Sequence, residues 1–267
     1  MRSLRLARPA LVLFCALGSA SAQAGKEDAN NGRDLARPLS KVGWLYQYQR
    51  LGTPEYDDHL NTLEAQKPFI LSPVWKLNLG LDLPIDANDA AGPGTFQGGL
   101  GDAQLFGLLV SKVNDTVYWG LGAAAIFPTA SQTHLGDGKY RLAPGAGIRF
   151  GLPGHGEDDW LLLQASYDQD VAGDPDRSPV RVWHFKPNLN LTFCQDWFFD
   201  LYPSSDISYN AGDLQPGDTG RWFIPFDFLF GKVWQKTAAA SLEISIPLVR
   251  DYDLYKFKLG TEVDFFF

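Results

Sequence analysis

The chain ends on the stretch YKFKLGTEVDFFF, residues 255–267, and this stretch decides the fold class. Successive side chains of a β-strand point to opposite faces, so the residues divide into two sets. The first set is apolar or aromatic apart from one threonine: Tyr255, Phe257, Leu259, Thr261, Val263, Phe265 and Phe267. The second set is mostly charged: Lys256, Lys258, Gly260, Glu262, Asp264 and Phe266. An alternation this long exceeds the usual strand of a soluble sheet and is typical of a strand that crosses a bilayer.

The same alternation recurs upstream. One copy sets the apolar series Trp75, Leu77, Leu79, Leu81 and Leu83 against Lys76, Asn78, Gly80 and Asp82. We predict twelve such strands, at 41–51, 62–71, 74–84, 98–112, 116–128, 139–151, 158–171, 181–194, 197–210, 220–233, 237–248 and 255–267. The connectors between them alternate between long and short, as in outer-membrane barrels. The sequence therefore predicts an all-β, transmembrane, antiparallel up-and-down β-barrel of about twelve strands, or of ten if the first two do not join.

The N-terminus has the features of a secretory signal. Arg2, Arg5 and Arg8 precede an apolar run at 11–17, and small residues follow at 18–22. This order predicts a signal peptide over 1–22, with cleavage after Ala24 as the alternative. We expect 23–40 to be a flexible periplasmic arm and 41–267 to form the barrel, with the bacterial outer membrane as the location.

Charge excludes one class of partner. Loss of the three signal arginines leaves 20 basic and 31 acidic residues, so the formal net charge moves from −8 to −11. Such an acidic protein is a poor nucleic-acid binder. The expected partners are instead the lipid of the outer membrane and a small solute.

Several short motifs resemble a known family. They are GLGDAQ at 99–104, WGLG at 119–122, FPTA at 127–130, LGDGKY at 135–140 and LAP at 142–144. Together they resemble the middle of the outer-membrane transporter family named for the MetA pathway of phenol degradation, and a looser similarity extends over 66–267. The resemblance implies a porin-like barrel that carries small solutes, but it supplies no catalytic or binding residue. Asp82 departs from the family pattern, in which a basic residue is usual in that region.

The chain end also resembles the tail that the barrel-assembly machinery reads, with Phe265 and Phe267 as the assembly signal. Aromatic rings are common at membrane interfaces, and we expect them to anchor the barrel there. The tryptophans near predicted strand ends are Trp44, Trp75, Trp119, Trp160, Trp183, Trp197, Trp222 and Trp234.

The inward faces supply the candidate pore-lining residues. Our candidates are Lys76, Asp82, Asp102, Gln104, Arg141, Arg149, Asp168, His184, Lys186, Asp227, Glu243, Lys256, Lys258 and Glu262, joined by Gln164, Asn188, Asn190, Asp200 and Asp264. Both signs of charge occur, so no net selectivity follows. About twelve strands imply a narrow or partly plugged lumen, because eight-stranded barrels are filled and barrels of sixteen or more are wide.

The function predicted from these features is passive uptake of small solutes, including aromatic or hydrophobic compounds, through a porin-like channel. The first alternative is a non-conducting structural or surface-binding barrel. The second is an outer-membrane hydrolase, for which His184 and Asp168 on adjacent strands could pair, although no serine motif accompanies them. We expect no enzyme activity, and no catalytic, cofactor-binding or metal-binding residue. The glycine-rich turn around His155 is a weak metal candidate that we interpret as a solvated turn.

Overall fold

The computed structural model describes residues 30–34, 36–52, 56–90, 94–152, 158–194, 196–252 and 254–267. The predicted signal peptide, residues 23–29 of the predicted arm, and His155 lie outside the described residues. The strands are β1 (Lys41–Arg50), β2 (Asp57–Ile70), β3 (Trp75–Asn88), β4 (Gln97–Leu100), β5 (Ala103–Lys112), β6 (Val117–Phe127), β7 (Lys139–Gly151), β8 (Trp160–Gly173), β9 (Arg181–Phe193), β10 (Trp197–Leu201), β11 (Ile207–Asn210), β12 (Trp222–Trp234), β13 (Ala238–Arg250) and β14 (Phe257–Phe266). Within these ranges no helix has the length and hydropathy of a membrane span.

The strands close into one antiparallel barrel. β1 pairs with β2 on one side and with β14 on the other, so Lys41 lies opposite both Gln66 and Phe266. β4 and β5 both pair with β3, and β10 and β11 both lie between β9 and β12, so each of these two pairs occupies one barrel position. The barrel thus has twelve positions. The predicted fold class is confirmed, with twelve strands rather than ten because β1 and β2 join the sheet.

Burial follows the predicted alternation in the sense expected for a membrane barrel. The outward face exposes large apolar side chains, among them Leu63, Leu79, Leu105, Leu121, Leu163, Phe226 and Ile246. The inward face buries polar ones, among them Asn78, Asn188, Asp200, Asp227, Ser245 and Asp264. In a soluble protein the apolar residues would be the buried ones.

Two predicted strands are interrupted. The prediction for 98–112 breaks at residues 101–102, where the side chain of Asp102 accepts backbone N–H groups of the next long loop, from Ala130 at 3.1 Å and Asp137 at 2.8 Å. The prediction for 197–210 breaks at residues 202–206. Pro203 cannot donate to a strand ladder, and Tyr202 has a left-handed φ of 53°.

The start of the last strand also differs from the prediction. β14 begins at Phe257, so Tyr255 and Lys256 precede it and need not follow the alternation. Tyr255 is buried inside the barrel, where its hydroxyl lies 2.7 Å from both Ser245 Oγ and Asp206 Oδ2. The backbone of Lys256 donates to the carbonyl oxygen of Arg50 instead of continuing the β14 ladder.

Apolar side chains pack inside the barrel at both ends: Phe223 contacts Tyr255 at one end, with ring centroids 4.8 Å apart, and a larger cluster lies at the end that holds the termini. Phe198, Leu229, Val233 and Ala239 form a buried cluster, and Phe266 packs against it from β14. Phe265 and Phe267 point outward and are 59% and 79% exposed. Trp160, predicted to be an interface anchor, is 1% exposed because its side chain points inward opposite Asn190.

Candidate functional site

The segment expected to be a loose periplasmic arm lies inside the barrel over its described part, residues 30–34 and 36–40. Asp34 is 1% exposed and accepts from Arg149 Nη2 on β7 at 2.9 Å. Arg33 pairs with Glu262 on β14 and lies 4.0 Å from Asp200 on β10. Asn31 donates to Asn190 Oδ1 on β9 at 2.9 Å. These contacts reach opposite walls, so the arm crosses the lumen.

A second group of charges lies where β1, β2 and β14 meet. The ammonium of Lys41 lies 3.0 Å from Asp264 and 3.1 Å from both Glu64 and Glu262. These three carboxylates are close enough together to hold a metal ion, but the lysine already supplies the positive charge.

The interruption at residues 202–206 folds into the lumen and carries a third group. The ammonium of Lys258 is 2.5 Å from Asp206 and 2.6 Å from Glu243. Asp227 lies beside Glu243 and accepts from the hydroxyl of Ser204. A lysine again lies among three carboxylates and pairs with two of them, and the inward segment fills this part of the lumen. We call the half of the lumen faced by β1, β2 and β10–β14, with these ion-pair groups, the filled side.

The opposite half contains a cavity of about 500 Å³, lined by inward residues of β5–β9. It follows the inner face of β6 from Tyr118 near one end of the strand to Ile126 near the other. Eight residues of strand correspond to about 26 Å. Ala36 of the arm lies at the end of the cavity nearest the chain termini. We call this half the open side.

Small residues keep the open side open. The inward positions on β6 and β7 include Gly120, Gly122, Ala124, Ala143, Gly145 and Gly147. Two of the glycines are also required by close approach: a Cβ on Gly122 would lie 2.6 Å from the carbonyl oxygen of Gly107, and one on Gly145 would lie 2.9 Å from that of Ala165. The part of the cavity wall formed by β6 and β7 therefore consists of backbone atoms and few side-chain atoms.

The rest of the cavity wall divides by polarity. Phe106, Leu108 and Ile126, on β5 and β6, supply apolar surface. Most polar groups come from β7–β9 and include Arg141, Arg149, Gln164, Ser166, Asp168, His184 and Lys186, while Gln104 and Tyr118 add polar atoms on β5 and β6. The charged lining groups are three cations and one carboxylate, and Arg141 pairs with that carboxylate, Asp168, at 3.0 Å.

The structure separates the predicted pore-lining residues into four sets. Those on or near the open side are Lys76, Asp82, Gln104, Arg141, Arg149, Gln164, Asp168, His184 and Lys186. Those on the filled side are Asp200, Asp227, Glu243, Lys258, Glu262 and Asp264. Asn188 and Asn190 lie on β9 outside the cavity, where Asn188 donates to Leu201 of β10 and Asn190 accepts from Asn31 of the arm. Asp102 holds a loop and Lys256 precedes β14, so neither lies within a strand. Sequence reasoning missed Arg33, Asp34 and Asp206; Pro203 was the available signal for the last.

His184 and Asp168 do not form the hydrogen-bonded pair that the hydrolase alternative requires. Nδ1 of His184 donates to the carbonyl oxygen of Ser205 at 3.0 Å, and Asp168 accepts from Arg141. Both side chains are therefore engaged with other groups.

The fold defines the class of protein: it is that of porin-like barrels of the bacterial outer membrane. An outer-membrane channel from Pseudomonas putida F1 superposes with a TM-score of 0.70 at 14% identity, covering 90% of this chain and 99% of that one. The NanC porin gives 0.54 at 13% identity, covering 85% and 100%, and the KdgM porin 0.52 at 11%, covering 85% and 99%. At these identities the likeness establishes the fold alone. No protein-family model and no curated protein matches the sequence.

Proposed function

We propose that this protein is a narrow outer-membrane diffusion channel for small solutes, and that the solute moves along the open side of the lumen. The observation that carries the proposal is the cavity that follows β6 from Tyr118 to Ile126. Gly122 and Gly145 are required by close backbone approach, but the small side chains of Ala124 and Ala143 beside them leave the volume that a passage requires.

The finer parts of the proposal have separate support. Apolar surface from Phe106, Leu108 and Ile126 favours solutes with an aromatic or hydrophobic part. The sequence motifs favour membership of the MetA-pathway family. The N-terminal pattern favours export, and the outward Phe265 and Phe267 favour recognition by the barrel-assembly machinery.

The arm favours a second candidate, a non-conducting barrel. Its ion pairs with Arg149 and Glu262 tie it across the periplasmic end of the lumen. If the arm stays in place and the cavity ends at Ala36, the barrel would be closed.

Single-channel recording of the refolded protein in a planar bilayer tests both candidates. Ala124→Trp places a large ring on the open side at a position whose Cβ already points inward, so it should remove most of the conductance. Ala125→Trp is the matched control, because Ala125 pairs with the exposed, outward Leu105 and Leu142. Equal conductance in the two variants would place the path elsewhere. A wild-type protein that inserts and never conducts would favour the closed barrel.

A further inference from the structure

One amine on the open side has no partner of its own. Within the described ranges, the ammonium of Lys186 makes no hydrogen bond and no ion pair; Arg33 repels it, and Asp200, Glu243 and Glu262 attract it without an ion-pair contact. Arg141 and Arg149, the other cavity cations, already hold Asp168 and Asp34. The cavity therefore has one cation available to a ligand.

Two neutral groups stand next to this amine. Gln164 lies directly opposite Lys186 in the β8–β9 pairing, and Ser166 follows two residues along the same face. Neither side chain has a hydrogen-bond partner among the described residues. Directly opposite side chains are about 5 Å apart and diagonal ones about 7–8 Å, which is within reach of a long lysine side chain, so one small group can contact all three.

The wall beside this polar group is empty of side chains. Gly147 pairs with Gln164 and Gly145 pairs with Ser166, so β7 forms a recess between the polar strands and the apolar ones. Phe106, Leu108 and Ile126 lie beyond it. β6 and β8 are two strand spacings apart, about 10 Å. A ligand with a charged head on β8–β9 and an apolar body toward β5–β6 matches this separation.

We propose that the open side contains a binding subsite for a small monocarboxylate with an apolar body, such as an aromatic acid. Lys186, Gln164 and Ser166 bind the carboxylate, and Phe106, Leu108 and Ile126 contact the body. The cavity volume of about 500 Å³ is in the range of small-molecule sites. A single available cation selects a monoanion, because a second negative charge would have no counter-charge in the cavity. The subsite deepens the channel function proposed above by naming its solute class.

Equilibrium binding by isothermal titration in detergent tests the subsite with benzoate as the probe. Benzyl alcohol keeps the ring without the charge, and acetate keeps the charge with almost no apolar body, so both should bind more weakly. Lys186→Gln should weaken benzoate binding about tenfold or more, because a charge-assisted contact is lost. Lys186→Arg should restore most of the affinity, which excludes misfolding as the cause.

The matched control is Lys236→Gln, which removes one positive charge from the exposed turn between β12 and β13 on the filled side. It should bind benzoate as the wild type does. Unchanged benzoate affinity in Lys186→Gln, or acetate binding as tight as benzoate, would overturn the subsite.

Conductance measured on the same samples separates the two proposals. A protein that conducts but does not bind benzoate keeps the channel and loses the subsite. A protein that binds benzoate through Lys186 but never conducts keeps the subsite and loses the channel.

Discussion

The inward faces of β6–β7 and β13–β14 occupy similar positions in the barrel wall and differ completely in content. Inward residues of β13–β14 include Glu243, Ser245, Lys258, Glu262 and Asp264, all of which are buried. Glu262, Asp264 and Lys258 pair with the arm, β1 and the inward segment, while Glu243 pairs with Lys258 and Ser245 bonds to Tyr255. Those of β6–β7 are mainly glycine and alanine beside open volume.

Outward residues of the two regions are much alike. Leu121 and Leu142 are exposed on one, and Leu242 and Ile246 on the other. Membrane insertion constrains the outward set, while the inward set is free to either fill the lumen or leave a passage. The comparison teaches that one wall of this barrel carries buried ion pairs, whereas the other leaves the volume that the proposed channel would use.

The largest expected difference between the filled side and the open side is tested by removing one lysine from each. Lys258→Met leaves Asp206 and Glu243 without their cation in a site where Lys258 is 1% exposed. The free energy of unfolding should fall by about 3–5 kcal/mol. Lys186→Met removes a cation that makes no ion pair in the described chain, so unfolding should change by less than about 1 kcal/mol. Urea titration of the refolded barrel in detergent, followed by tryptophan fluorescence, measures both.

A second pair of substitutions checks whether the unpaired carboxylates cause the destabilisation by Lys258→Met. Adding Asp206→Asn and Glu243→Gln to Lys258→Met removes the unpaired charges and should recover part of the loss. Equal destabilisation by the two lysine variants would contradict the division into a filled and an open side.

The next largest effect concerns the arm. Asp34→Asn removes the charge that holds Arg149 Nη2 and Arg37 Nε, both at 2.9 Å. Hydrogen bonds to charged groups contribute about 1.5–3 kcal/mol each, so amides of residues 30–34 and 36–40 should exchange about tenfold faster or more. Hydrogen exchange with mass spectrometry measures this, with Asp115→Asn in the exposed β5–β6 turn as control. Unchanged exchange would mean that the arm is held by its other contacts.

The barrel could be predicted because its signal is local. The ten residues of β14, Phe257–Phe266, contain the alternation of outward apolar and inward polar side chains, and the alternation of long and short connectors agrees with it. The predicted strand boundaries are wrong where a strand continues beyond its run of alternating apolar residues. β2 begins at Asp57 rather than at residue 62, since the polar end of the strand extends the ladder without the apolar alternation.

The division of the lumen could not be predicted, because it depends on contacts between distant residues. Asp34 and Arg149 are 115 positions apart, and Arg33 and Glu262 are 229 apart. The sequence of residues 30–40 has no periodicity from which these contacts could be predicted. The wall of the open side was visible in part, since Gly120 and Gly122 alternate with Trp119 and Leu121. The alternating glycines predict which residues of β6 face inward, but they do not predict that the space in front of these residues is empty.

The smallest effect is expected in the loop that follows β3, which belongs to neither the filled side nor the open side of the lumen. The carboxylate of Asp89 accepts backbone N–H groups of Gly94 at 3.0 Å and of Asp57 at 2.8 Å, and these bonds, that of Gly94 first, hold the pKa of Asp89 below its ordinary value. A depressed carboxyl pKa contributes stability above the unfolded value of about 3.9, and this contribution is lost as the pH falls through the folded pKa. The amide of Gly94 should therefore lose protection from hydrogen exchange only below about pH 4. Asp89→Asn should remove that pH dependence, whereas a loss of protection at the same pH in both proteins would assign it to another group.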